Sequence, residues 1–395
     1  MDIEGFLAKA DFTLADLHTH LQTSLEPQSG EVVFVCGSLV EGLGNTASDI
    51  DVVLITSRER AGVSETGNIV TTLGSIICDT FIMTPDALHG LLDRLNILGT
   101  SEADLYQSAK GFTDYERRLI HRLFTAMPVF GEADLRMFQR RVTLDAIQWQ
   151  KYNRSRHEAL ALQLDLRGLV EQKDWNSVVF CAQNMLDWSI DALLTGFGAT
   201  NPVVKWRISQ LQALPPDWFC NVPGLYGPEN AAQYYLSMRQ GITDGDPQKS
   251  YAYAQRILTL SRQIFLWVEH RLRGGAFCES CKTLVPDTDL GSADTLAQFG
   301  PQIAFRSHGD HVEVFELNNS ENRYSFPAYA ANILPHFGSA LSVDQVIGLF
   351  SDDPDMPDAK AKVMGLREFV TQRGWEAQPM IDESQLSAVL KAGSA

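Results

Sequence analysis

Apolar and polar positions follow two periods along this chain, and the places where the period switches divide it. Phe6, Leu7, Leu14, Leu17 and Leu21 recur at roughly helical spacing, which predicts a helix over residues 5–25. Two strand-length apolar runs follow, at residues 32–36 and 52–55. Beyond a polar hairpin region at 57–66, residues 68–73 and 76–83 read as further strands. Thr84 is placed to cap a helix whose first position is Pro85. The pattern predicts a small mixed sheet with helices on one side, closing near residue 128.

From about residue 132 to 272 the period is helical almost throughout. Residues 135–171 form one helical tract or two. A wide apolar stripe over 175–197 ends at Gly196 and Gly198. A stretch rich in Pro and Gly (Pro215, Pro216, Pro223, Gly224, Gly227, Pro228) then interrupts the pattern before helices resume at 228–240 and 247–273. The tryptophans and tyrosines of this region read as core and helix-packing residues. Gly274 and Gly275 mark the next switch. Residues 311–317 alternate cleanly, and 323–326 are placed to pair with them across Asn318 and Asn319. Helix-like segments at 327–337, 342–351 and 357–373 complete the pattern. The expected architecture is α+β: a mixed-sheet domain at 1–128, a helical bundle at 129–275, and a small C-terminal domain at 276–395.

One stretch concentrates the chemistry. The first apolar run ends at Gly37-Ser38, and a loop rich in Gly and small polar residues leads to Asp49-Ile50-Asp51 at the head of the second run. Side chains alternate across a strand, so Asp49 and Asp51 share a face while Ile50 and Val52 point to the core. Two carboxylates held side by side repel unless a cation lies between them. Hard oxygen ligands of this kind suit Mg²⁺, which completes its shell with water and substrate phosphates. Gly37 permits close backbone approach to a phosphate, and Ser38 adds a hydroxyl donor beside exposed N–H groups. Asp79 sits inside the apolar run 76–83, where a carboxylate needs a reason.

Gly37-Ser38, Gly42 and Ser48-Asp49-Ile50-Asp51, with Asp79 on a later strand, resemble the signature of the DNA polymerase β-type nucleotidyltransferase superfamily. The spacing is most similar to the minimal and aminoglycoside nucleotidyltransferases. The resemblance implies an Mg²⁺-dependent enzyme that moves an NMP from an NTP, ATP among the candidates, to an acceptor and releases pyrophosphate. It implies Asp49, Asp51 and Asp79 as metal ligands and catalytic residues, and Gly37 and Ser38 as the phosphate cradle. In those enzymes a helical domain closes the cleft and contributes to the nucleotide phosphates. Lys151 and Lys205 are the cations available there, and Lys205, in Lys205-Trp206, is the expected phosphate contact. The last eighty or so residues resemble the winged-helix PqqD-type domains that hold leader peptides, which implies a peptide or protein partner. An ordinary winged-helix interaction or dimerisation domain fits the same pattern.

Composition narrows the acceptor. The chain has 395 residues and a net charge of −17, which disfavours an extended nucleic-acid face because phosphate contacts need clustered Lys and Arg. A small-molecule or peptide acceptor is expected, in natural-product or peptide modification. The alternatives are an antibiotic-inactivating transferase, or an antitoxin-like regulatory protein that binds nucleotide and binds or nucleotidylates a protein partner. No apolar run approaches the ~20 residues that cross a bilayer, and no signal-peptide pattern opens the chain, so no membrane association is expected. Six scattered cysteines suit a reducing cytoplasm. Cys278, Cys281, His308 and His311 have a spacing that suits a structural Cys₂His₂ zinc site. Arg262 and His270 lie too far apart for the Arg-His element of helical ribonuclease toxins.

Overall fold

The computed structural model describes residues 1–58, 67–216, 218, 222, 230–240, 245–277, 294–317, 319–339 and 341–377. The chain divides into two compact units, Met1–Arg154 with Gly198–Gln210, and Ser155–Phe197 with Leu211–Ala395. The architecture is α+β, with a mixed sheet and many helices.

The first unit opens with α1 (Ile3–Ala8) and α2 (Leu14–Leu25), where the spacing predicts a single helix. Asp11 adopts φ +60° and ends the first helical run. Thr13 then caps the second in a reciprocal box: its hydroxyl accepts from the Asp16 N–H, and the Asp16 carboxylate accepts from the Thr13 N–H at 2.8 Å. The strands β1 (Val32–Cys36), β2 (Ile50–Ile55), β3 (Asn68–Leu73), β4 (Ile76–Met83) and β5 (Met127–Phe130) form one sheet in the order β3-β4-β2-β1-β5. Only β2 and β4 run parallel; the other pairs are antiparallel. Most of the polar hairpin region expected at 57–66 lies outside the described residues.

Helices cover both faces of this sheet rather than the one face expected. Every residue of β1 is buried, which a sheet covered on one side cannot provide. Val32, Phe34 and Cys36 join a core with α3 (Pro85–Leu98), α5 (Asp114–Phe124) and α6 (Glu132–Arg140). Val33 and Val35 join a second core with α1 and α2 on the opposite face. Between α3 and α5 lies the short α4 (Leu105–Lys110). The tract expected over 135–171 is two helices, α6 and α7 (Leu144–Glu171).

Further along the chain come α8 (Trp175–Gly196), α9 (Arg207–Gln212), α10 (Ala231–Arg239) and α11 (Pro247–Leu272). In the second unit α8 and α11 pack closely enough for the Ser189 and Ser261 hydroxyls to meet at 3.0 Å. The C-terminal part holds β6 (Ile303–Ser307), β7 (His311–Glu316) and β8 (Asn319–Pro327), an antiparallel meander in the order β6-β7-β8. The alternation at 311–317 thus forms β7 and pairs with β8; β6 is an additional strand. After it come α12 (Ala330–Ile333), α13 (Val343–Phe350) and α14 (Ala359–Gln372). Their core gathers Phe299, Phe305, Phe337, Phe350 and Trp375.

Residues of α11 are buried without break from Ile257 to His270, and among the polar ones Arg262, Glu269 and His270 serve β6 and the residues just before it. β6 is an edge strand, and an edge carbonyl turned into a core must find a donor. Arg262 supplies Nε to Ile303 O at 2.9 Å, Nη1 to Phe299 O at 3.1 Å and Nη2 to Gly300 O at 2.6 Å. Gln163 of α7 donates to Pro301 O and Ile303 O, and Arg156 donates to Phe305 O.

His336, in the one-turn 3₁₀ segment Leu334–His336, is fully enclosed and meets the Phe350 ring edge-on. Burial pushes its imidazole down to about 4, so the folded state holds it neutral. Unfolded His takes up its proton near pH ~6.5, so this group's contribution is complete above that pH and is lost as pH falls toward 4. The difference is worth about 3 kcal/mol. His270, also pushed down by burial, acts in the same sense. His336→Gln is expected to flatten the loss of melting temperature between those pH values; an unchanged slope would contradict the assignment.

Candidate functional site

The site is built where β1 ends. Gly37 follows Cys36 with φ +81°, a conformation that suits glycine. A Cβ there would lie 2.2 Å from Asp51 Oδ2, so a side chain at 37 and the carboxylate at 51 exclude each other. The loop folds back through Leu43 N–H donating to Ser38 O at 2.8 Å. It is ordered again ahead of Asp49, where Asn45 Oδ1 accepts from Ala47 N–H at 2.8 Å and Ser48 Oγ accepts from Asn45 N–H at 2.9 Å. Asp51 on β2 is the register partner of Cys36 on β1 and of Asp79 on β4. Register partners share a sheet face, so Asp51 and Asp79 both turn to the side that carries α5.

Asp51 is bonded at 2.6 Å to Nη2 of Arg122 on α5. Burial pushes its carboxyl above the usual carboxylate range; Arg122 and Lys205 oppose the shift, and Asp49 and Asp79 add to it. Asp79 is half-buried rather than enclosed, because β4 buries the alternate residues Cys78 and Thr80. Its carboxylate accepts from Asn68 Nδ2 at 3.0 Å. Asp49 is exposed, just ahead of β2.

A cleft of about 430 Å³ is lined by Gly37, Ser38, Asp49 and Asp51 together with Arg118, Arg122, Lys205 and Trp206; Asp79, one strand over from Asp51, is not part of its lining. All belong to the first unit. Lys205 therefore sits with the sheet, and its ammonium lies 4.8 Å from the centre of the Trp206 ring. Lys151, the other cation considered, donates instead to the backbone carbonyls of Ala199 and Asn201 and so holds the segment that carries Lys205. Glu41 lines the cleft too, with His121 Nε2 at 2.9 Å and Asn201 Nδ2 donating to it at 2.9 Å. A Cys36 nucleophile has no support, since burial pushes its thiol far up.

The donor set suits a hard divalent cation. It places carboxylates on adjacent strands with a third two residues upstream, and Asp51 is destabilised in its charged form by burial and by both acidic neighbours. The three carboxylates do not converge here: Asp51 is held by Arg122 and Asp79 by Asn68. Among the described residues, His308, His311 and Glu313 alone bring three ligand atoms within 4.8 Å of one another. Of the expected zinc set, Cys278 and Cys281 lie outside the described residues.

Sequence reasoning missed Arg118, Arg122, His121 and Glu41. Arg118 and Arg122 stand four apart on α5, so they share a helix face, and that spacing was the available signal. A second hollow of about 410 Å³ also borders Asp49, lined by Phe6, Lys9, Ser75, Ile76 and Ile77. Among the described residues no helix is long and apolar enough to cross a membrane.

No family model matches this chain, and no curated protein matches it. Among solved structures, a nucleotidyltransferase-like protein from Exiguobacterium sibiricum aligns at 14% identity over 65% of this chain and 80% of its own, with a TM-score of 0.32. At that score the likeness carries no argument about the site, which rests on its own geometry.

Proposed function

We propose that the first unit is a nucleotidyltransferase that moves an NMP from an NTP to a small-molecule or peptide acceptor with release of pyrophosphate. The observation that carries this reading is the packing of Gly37 under Asp51, with Asp79 at the register position beside it and a cationic wall opposite. A pair of strand carboxylates facing Arg118, Arg122 and Lys205 places negative and positive groups across one cleft, as a metal-bound triphosphate requires. Asp49, Asp51 and Asp79 would hold Mg²⁺. When bound, Mg²⁺ neutralises the triphosphate and lowers the pKa of an attacking hydroxyl. Gly37 and Ser38 receive the phosphates, and Lys205, fixed on Trp206, sets their position. Asp79 accepts the acceptor's proton, with Asn68 orienting its carboxylate. Before substrate arrives, Arg122 holds Asp51 in place and opposes the upward push that burial gives its carboxyl.

The hollow lined by Phe6, Ile76 and Ile77 has an apolar wall and borders Asp49, so it suits the acceptor, while the polar cleft suits the nucleotide. The low proportion of basic residues agrees with an acceptor other than a long nucleic acid. A peptide acceptor could be held by the C-terminal part. There β6 is closed by side chains of α7 and α11, so strand addition would have to use β8.

The Asp51–Arg122 bond favours a second reading, a regulatory protein that binds nucleotide without turning it over, because that bond occupies one of the two oxygens Asp51 could offer a metal. The two readings part on turnover of labelled NTP. Lys205→Ala is expected to weaken NTP binding roughly tenfold or more while changing NMP affinity little, as loss of one β/γ-phosphate contact would. Calorimetry with both ligands checks this, and equal losses would remove Lys205 from the phosphate site.

A further inference from the structure

A second group of titratable side chains lies in the other unit, on the turn between β6 and β7. His308 and His311 flank the two-residue connection Gly309-Asp310, and His308 N–H donates to His311 O at 2.9 Å. Gly309 takes φ +87°, which lets so short a turn close. Glu313 stands two residues along β7 from His311 and so shares its face. The result is a compact trio: the ligand atoms of His308, His311 and Glu313 all lie within 4.8 Å of one another.

The contacts inside the trio leave its ligand atoms without hydrogen bonds to one another. His308 Nε2 and Glu313 Oε2 are 3.2 Å apart, yet both atoms are buried and neither has a hydrogen-bond partner. Two buried polar atoms that approach without bonding carry a desolvation cost that a shared cation removes. The two imidazoles stack face to face, with centres 4.4 Å apart and planes 5° apart. Nδ1 of His311 lies 2.7 Å from Asp310 Oδ1, which fixes its proton there and presents Nε2 as the lone-pair donor. Arg323 Nη1, at 3.6 Å from Glu313 Oε2, is too far for a hydrogen bond and leaves that oxygen available.

We propose that His308, His311 and Glu313 form a binding site for a divalent transition-metal ion of the Zn²⁺ class. Two imidazoles and a carboxylate suit Zn²⁺ and leave one position of a tetrahedral shell for water or another ligand. All three ligands come from one hairpin, the β6–β7 turn and β7. Bound there, the ion would tie the turn to β7.

The full chain, stripped with chelator, is titrated with ZnCl₂ by calorimetry in excess Mg²⁺, which occupies hard-oxygen sites. A single saturable Zn²⁺ site is expected. His311→Ala and Glu313→Gln should each weaken it at least about tenfold, the lower end of what even an outer-sphere partner is worth. Zn²⁺ should raise the melting temperature of the wild type, and that rise should vanish in His311→Ala. His311 is partly exposed at a turn, so this variant is expected to melt without metal within a few degrees of the wild type, and it carries the test should His308→Ala fail to fold. Absence of Zn²⁺ uptake by the wild type, or unchanged affinity in both His311→Ala and Glu313→Gln, overturns the site.

Discussion

Asp51→Asn is expected to abolish nucleotidyl transfer while leaving the first unit folded. On the proposed reading Asp51 would help fix the cation, and loss of such a carboxylate removes several kcal/mol of transition-state stabilisation, or roughly 10³-fold in rate. Stability should move little, for a reason visible in the site. Asp51 is held above its ordinary range by burial and by Asp49 and Asp79, so its charge is costly to the folded protein. Asparagine keeps the volume over Gly37 and leaves an oxygen to accept from Arg122. The melting temperature should therefore stay within a few degrees of wild type or rise. Asp49→Ala should be as inactive, with less effect still on the fold, because Asp49 is exposed. Substantial turnover by Asp51→Asn at saturating Mg²⁺ would remove the carboxylates from the chemistry.

The largest expected effect on stability comes from Arg262→Met. Methionine matches much of the arginine stem but donates nothing, and three carbonyl oxygens lose a donor at once. Phe299 O is the costly one, since Ile303 O keeps the Gln163 amide and Gly300 O keeps the Ile303 N–H at 3.1 Å. Arg262 is enclosed enough for burial to push its guanidinium down to about 9, so it holds its charge at neutral pH against a real desolvation cost. Leaving a buried carbonyl without its donor costs roughly 1–3 kcal/mol. Denaturant unfolding should show that loss in the transition of the second unit. A change under about 1 kcal/mol would mean that water reaches the β6 edge.

Much of this was legible in residue order. The Gly37-Ser38 turn, Asp49, Asp51 and Asp79 could be found because strand periodicity fixes which side chains share a face, and a carboxylate in an apolar run stands out. The register that seats Asp51 beside Asp79 follows from the parallel pairing of β2 with β4, which no local pattern announces. The cationic wall was harder to see. Arg118 and Arg122 lie on an amphipathic helix, where charged residues ordinarily face water, and only the packing of α5 on the sheet turns them to the cleft. The two-sided burial of the sheet was masked because residues 5–25 read as one helix, although the Thr13–Asp16 capping box was in the sequence. β6 escaped because Ile303-Ala-Phe-Arg-Ser307 neither forms an unbroken apolar run nor alternates cleanly, and its edge is closed by Arg156, Gln163 and Arg262, residue types that usually mark a solvated helix face.

The central claim is that the cleft between the Asp49–Asp51 strand and α5 binds a metal-complexed nucleoside triphosphate through its carboxylates. Calorimetry with non-hydrolysable analogues of the four NTPs, with and without Mg²⁺, tests it without knowledge of the acceptor. At least one analogue should bind the wild type in an Mg²⁺-dependent manner, and Asp49→Asn should lose that dependence. Failure of all four to bind in the presence of Mg²⁺, or binding indifferent to both Mg²⁺ and Asp49→Asn, would contradict the account.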